Sequence, residues 1–275
     1  QEVEEGLEGR ERGEGGARET RGSQEDAVRW MILAGALLLL LYVGSEVSFG
    51  GYIFVYAVEY MGMEEEGGYL LNALFWGALA VGRLVAIPWS MLATSARILA
   101  LDLLGSAASL AIMVVWQRSA RVLWATTALF GLLMGPVFPT VMTYAEECTP
   151  LSSRHTAALV VGAAAGEMLL PAILALLFAR PDLPTTPPSD SDAPAPQGAE
   201  PGEGARFGGL PWVLALDALL SLAAFGALVR AGERTKRRRR EEEEEEEERE
   251  GEQEGEMVEE EGKREGGDGR EREGK

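Results

Sequence analysis

The chain has 275 residues, a net charge of −19, one Cys and one His. A single Cys excludes an intramolecular disulfide, and with one His the chain has no Cys/His cluster to hold a metal. The acidic total and a mean hydropathy near zero suggest a soluble protein, but they average unlike parts: residues 27–230 carry 15 acids, 9 bases and no Lys, and the rest of the charge lies at the two ends. No nucleic-acid partner is expected.

Residues 1–27 are rich in Glu, Arg and Gly and hold almost nothing apolar. Such a segment buries too little surface to offset its chain entropy, so a disordered acidic N-terminal segment is expected. The chain starts with Gln, and no signal peptide precedes the first apolar stretch, so it reads as a piece of a longer protein.

Six apolar stretches follow, roughly Trp30–Val58, Tyr69–Leu92, Ile98–Trp116, Val122–Tyr144, Thr156–Phe178 and Leu210–Val229. A bilayer core takes about 20 apolar residues of α-helix. The expected fold is an all-α, polytopic bundle of six transmembrane helices over residues 28–230.

The first stretch is too long for one straight span, at roughly 45 Å for about 30 residues. It contains Gly50-Gly51, where a helix break that frees backbone groups for a ligand is expected. Glu46 precedes the pair. Ser45, Ser48, Tyr52, Tyr56 and Glu59 fall within an arc of about 80° at 100° per residue. Hydroxyls and phenols on one face suit a polyol; the same face also suits hydrogen bonding between packed helices.

The second stretch puts Asn72, Trp76 and Arg83 on one face. Asn offers donors and an acceptor to sugar hydroxyls, and Trp offers a flat apolar platform. Arg83 must be paired or must snorkel. Pro88 marks a kink near the end. In the third stretch Asp102, beside Arg97, reads as interfacial.

The fourth stretch carries Pro136 and Pro139, which imply a bent helix, with Thr140, Thr143 and Glu147 on one face beyond it. In the fifth, Gly162 and Gly166 at four-residue spacing allow close helix approach. Glu167 beside that seam, one turn before Pro171, is expected to be buried. It would pair with Arg83, bind a cation or take a proton. Asp217 in the sixth stretch fits packing or water access.

The connector of about residues 180–209 is rich in Pro, Asp and Ala and reads as a flexible hydrophilic loop. Beyond the last stretch, residues 231–275 form a charged tail expected to be disordered, with the basic run Lys236–Arg240 placed to touch anionic head groups. That dense basic cluster sets the topology: both ends cytoplasmic, the connector outside. The short loops taken alone favour the opposite sense.

No serine-hydrolase, phosphate-loop or metal-protease pattern occurs, so an enzyme is not expected. Polar groups on several spanning helices point to a pathway for a small molecule. The substrate-binding or gating candidates are Glu46, Tyr52, Tyr56, Asn72, Trp76, Arg83, Thr140 and Glu167.

Four segments carry a resemblance: Tyr42-Val43-Gly44-Ser45-Glu46-Val47-Ser48-Phe49-Gly50-Gly51-Tyr52-Ile53-Phe54-Val55-Tyr56-Ala57, then Gly82-Arg83, Phe138-Pro139-Thr140, and Gly166-Glu167-Met168 with Pro171. They resemble the C-terminal six-helix half of a major facilitator superfamily transporter, nearest to the sodium-dependent glucose transporter group and its fucose-permease-like relatives. The resemblance covers about residues 28–230. It implies two six-helix halves around a central cavity, a hexose such as glucose as substrate, and a partner N-terminal half in the complete protein. It also implies sodium as the candidate coupling ion, no other cofactor, and a place in the plasma membrane, its apical surface included. The alternative is a non-transporting membrane scaffold or regulator derived from a truncated carrier.

Overall fold

The structure is a computed structural model that describes residues 2–178 and 204–272. Most of the connector expected at about 180–209 therefore lies outside the described residues. The chain divides into two compact units, residues 28–232 and a second unit made of residues 1–27 with 233–275.

Among the described residues every regular element is helical. Helix α1 is Glu2–Val55, followed by a π-turn at Tyr56–Tyr60. Then come α2 (Glu65–Ser90), α3 (Ser95–Val115), α4 (Ala120–Met134), α5 (Val137–Cys148) and α6 (Ser153–Phe178). A 3-10 turn at Gly204–Gly209 leads into α7, Leu210–Arg272. Six segments are long and apolar enough to cross a bilayer: Gly22–Tyr60, Glu65–Ser90, Ser95–Val115, Ala120–Cys148, Ser153–Phe178 and Phe207–Glu244. The protein is an all-helical membrane bundle.

Two expectations about local structure change. The first is the break at Gly50-Gly51. Helix α1 runs through both glycines, and the irregularity falls later, in the π-turn and at Gly62, whose φ is +68°. Glycine within a helix costs only about 1 kcal/mol, and here it gives room for packing. A Cβ on Gly50 would lie 2.4 Å from Cζ2 of Trp76. The second concerns the ends: residues 2–27 and 231–272 are helical rather than without fixed structure. Glu and Arg are good helix formers. In the C-terminal tail, Arg237–Glu241 and Arg239–Glu243 pair at 2.9 Å one turn apart. Exposed pairs of this kind add only about 0.3–0.5 kcal/mol each.

The fourth span divides where its prolines stand. Helix α4 ends at Met134, and α5 starts after Pro136, which lacks the N–H needed to continue the helix. Helix α2 stops two residues after Pro88.

Within residues 28–232 the helices pack through backbone contacts at small residues. A Cβ on Gly82 would lie 2.0 Å from the Leu132 carbonyl oxygen, and one on Gly135 would lie 2.5 Å from that of Leu79, so α2 and the end of α4 touch without side chains between them. The α6 seam does the same against α1: Gly162 meets Ala36 and Gly166 meets Leu40, with the added Cβ atoms 2.4 and 1.9 Å from those carbonyl oxygens. In a bilayer, close packing of this kind takes the place of water-driven association. Phe49, Phe75 and Phe130 join α1, α2 and α4, with centroids 4.7 to 6.1 Å apart. Large apolar side chains such as Leu84, Val161, Met168 and Leu219 stay exposed, as lipid-facing positions should.

Candidate functional site

Three of the eight site candidates meet in one place. Glu46 of α1, Arg83 of α2 and Glu167 of α6 line an open groove of about 520 Å³, with Phe138 and Pro139 of α5 and Ala163 and Ala164 of α6. The glycine seam sets this geometry. It draws α6 onto α1 at Gly162 and Gly166, and Glu167, one residue further and about 100° around the helix, turns off the seam.

Glu46 is almost fully buried, and Oε1 accepts from Nη2 of Arg83 at 3.4 Å. The Arg83 side chain is 53% exposed, so its guanidinium keeps donors free on the groove side. Pairing with Arg83, one of the three roles expected for Glu167, thus falls to Glu46. Glu167 is exposed rather than buried, and makes no ion pair among the described residues. The groove carries two carboxylates and one guanidinium against apolar walls. Such a set can accept from and donate to several hydroxyls of one small polar molecule.

The other five candidates hold the bundle together and do not line this groove. Tyr52 donates to the Pro171 carbonyl at 3.2 Å and packs edge-on to Phe178. Tyr56 is fully buried, donates to the Gln117 carbonyl at 3.2 Å and stacks near Tyr60. Asn72 donates to the Gly50 carbonyl at 2.5 Å. Trp76 covers Gly50 and meets Phe75 edge-on at 5.1 Å. Thr140 is buried and bonds back to the Pro136 carbonyl of its own helix at 2.7 Å. The expected hydroxyl face of α1 therefore does not line a single path. Ser45 turns to α7, Tyr52 to α6 and Tyr56 to Gln117, each bonding the neighbour nearest it, while the buried Ser48 hydroxyl has no partner among the described residues.

The structure also shows a polar cluster that the sequence indicates only in part. Ser45 donates to Oδ2 of Asp217 at 2.5 Å, and both residues are buried. They line a small internal cavity with Tyr42, Ser106, Met134 and Ser221. The Tyr42 hydroxyl donates to the Met134 carbonyl. Asp102, expected at the interface, is buried, and its Oδ2 has no hydrogen-bond partner among the described residues. Ser106 and Ser221 are the residues sequence reasoning missed. Each stands four residues after an aspartate, Asp102 and Asp217, and that i, i+4 spacing was the available signal.

The chain is 42% identical over 137 residues to sodium-dependent glucose transporter 1 of Danio rerio, a match covering 50% of this chain and 23% of that protein. It is 35% identical over 149 residues to sodium-dependent glucose transporter 1A of Mus musculus, covering 54% and 35%. It is 31% identical over 139 residues to major facilitator superfamily domain-containing protein 4A of Xenopus tropicalis, covering 50% and 28%. The chain thus spans between about a quarter and a third of the length of these curated relatives. No protein-family profile matches the chain, and no solved structure matches it. In the half that aligns, the chain resembles transporters of the major facilitator superfamily, in particular the sodium-dependent glucose transporter group.

Proposed function

We propose that this chain is one six-helix half of a membrane carrier that moves a hexose such as glucose by alternating access. The observation that carries the reading is the convergence of Glu46, Arg83 and Glu167, from three helices, on one open groove. A hexose offers hydroxyls all round its ring, and carboxylate and guanidinium bonds to them are the stronger, charge-assisted kind. The names of the relatives support the same substrate class and a dependence on sodium.

Arg83 is the moving part of this mechanism. It is held by Glu46 in this structure and shares the groove with the exposed Glu167. Passing the guanidinium from one carboxylate to the other would shift α6 relative to α1 and α2 at little electrostatic cost. Rocking of packed helix groups around a fixed site is how carriers alternate access. On this reading the opposite wall comes from a second six-helix half, both ends of the chain lie in the cytoplasm, and the protein works in the plasma membrane without enzymatic chemistry.

The test is uptake of radiolabelled glucose by cells expressing this chain joined to the second six-helix half in the complete protein, with sodium or choline outside. Sodium-dependent uptake that falls when Glu167→Gln or Arg83→Gln reaches the surface at normal levels supports the proposal. Uptake unchanged by both substitutions contradicts it. The long charged tail favours a second reading, a membrane scaffold without transport. Stable partners crosslinked to the charged tail, with no uptake, would select that one.

A further inference from the structure

The Asp217 cluster has no part in the groove and has chemistry of its own. Asp217 is 4% exposed and lies on the apolar part of α7. Its hydrogen-bond partner is the neutral hydroxyl of Ser45 at 2.5 Å. Among the described residues, no Lys, Arg or His lines the cavity beside it. An ionised carboxylate buried this way without a positive partner is costly by several kcal/mol or more. The compensating charge has to come from solution.

The cavity measures about 10 Å³, room for one water-sized occupant and far too small for a sugar. Its polar lining consists of oxygen groups: the Asp217 carboxylate and the hydroxyls of Tyr42, Ser45, Ser106 and Ser221. Oxygen donors with a single negative charge suit a small, hard, singly charged cation. The Ser106 hydroxyl adds an independent sign. It is 3% exposed, lines this cavity and has no hydrogen-bond partner among the described residues. A proton on Asp217 would neutralise the carboxylate and still leave Ser106 unsatisfied. A cation in the cavity uses both.

We propose that Asp217, Ser45, Ser106 and Ser221 bind one sodium ion between α1, α3 and α7. Ser45 adjoins Glu46 in α1, so the ion is coupled through one helix to the carboxylate that holds Arg83. Filling the site would fix α1 against α7 and α3, and so bias where the groove opens. This deepens the carrier reading by giving its ion dependence a location. Its test needs no transport.

The experiment is thermal unfolding of the purified protein in lipid nanodiscs, titrated with sodium, lithium, potassium or choline chloride at constant ionic strength. A ligand that binds only the folded state raises the midpoint saturably. Sodium is expected to do so, with potassium and choline flat. Asp217→Asn, close in shape to the original, should abolish the response. Ser106→Ala should raise the half-saturating sodium concentration by roughly tenfold, the size expected for one lost oxygen contact to a charge. Equal midpoints in sodium and choline would overturn the proposal. So would a response to acid alone, or a sodium response that survives in Asp217→Asn. If that variant fails to fold, Ser106→Ala and Ser221→Ala decide, and unchanged half-saturation in both overturns it. Sodium stabilisation without hexose uptake would sink the carrier reading alone. Sodium-dependent uptake without sodium stabilisation would sink this site alone.

Discussion

Two polar places in the same bundle solve the problem of charge in a membrane in different ways. In the groove, Glu46 is paired with Arg83 at 3.4 Å, and Arg83 and Glu167 remain open to whatever fills the space. In the internal cavity, Asp217 is closed in with hydroxyls and, among the described residues, no side-chain cation. The groove brings its own countercharge and has room for a molecule. The cavity lacks a countercharge and has room for one ion or water. This division suits a coupled carrier, which needs a wide site that opens and a tight site that senses.

The comparison can be broken most severely at the glycine seam, because both places depend on how closely α1 is packed. Gly166→Val would put side-chain atoms where the Leu40 backbone lies. The expected cost is about 3 kcal/mol or more, at the upper end for overpacking. Loss of the folded peak in size-exclusion chromatography would show it. Gly51→Ala, with nothing within 4 Å of the added Cβ, should leave that peak intact.

A smaller effect separates the roles of the two groove carboxylates. A double-mutant cycle in thermal unfolding between Glu46→Gln and Arg83→Gln should give a coupling of about 1 kcal/mol, reduced by the exposure of Arg83. The cycle between Glu167→Gln and Arg83→Gln should give clearly less. Equal couplings would mean that Arg83 is already shared, and that the paired state seen here is not the resting one.

The substitutions with the least expected effect test the five candidates moved from the site to the framework. Tyr52→Phe removes one hydroxyl bond to the Pro171 carbonyl, worth about 1 kcal/mol. Thr140→Val removes a bond within its own helix and should cost less than about 0.5 kcal/mol. Both should lower the unfolding midpoint slightly and leave the apparent KM for hexose unchanged. A several-fold rise in KM at normal surface expression would return either residue to the substrate path.

What the sequence showed, and what it hid, divides along physical lines. The six spans were legible because bilayer thickness sets a length that composition reveals directly. The Gly162–Gly166 seam was legible because four-residue spacing places both glycines on one face. Glu46, Arg83 and Glu167 stood out because a charge in a span has few cheap explanations. Which carboxylate Arg83 chooses was not legible, since it depends on how α6 rotates against α1. For the same reason Tyr52, Tyr56, Asn72 and Thr140 read as site residues. A polar side chain bonding a neighbouring backbone carbonyl has the same sequence signature as one facing a substrate. The helical tails follow from the opposite weakness: composition showed that they bury no core, and left open whether Glu/Arg runs hold a solvated helix.

The central claim, that the groove between α1, α2 and α6 receives the transported molecule, has a direct measurement. Cys148 is the chain's single cysteine and is buried, so Ala164→Cys places one accessible thiol on the groove wall. Its rate of labelling by a membrane-impermeant thiol reagent should be fast and should fall several-fold when saturating glucose is present. Labelling that is fast but unchanged by glucose, at a concentration that saturates uptake, would contradict the claim.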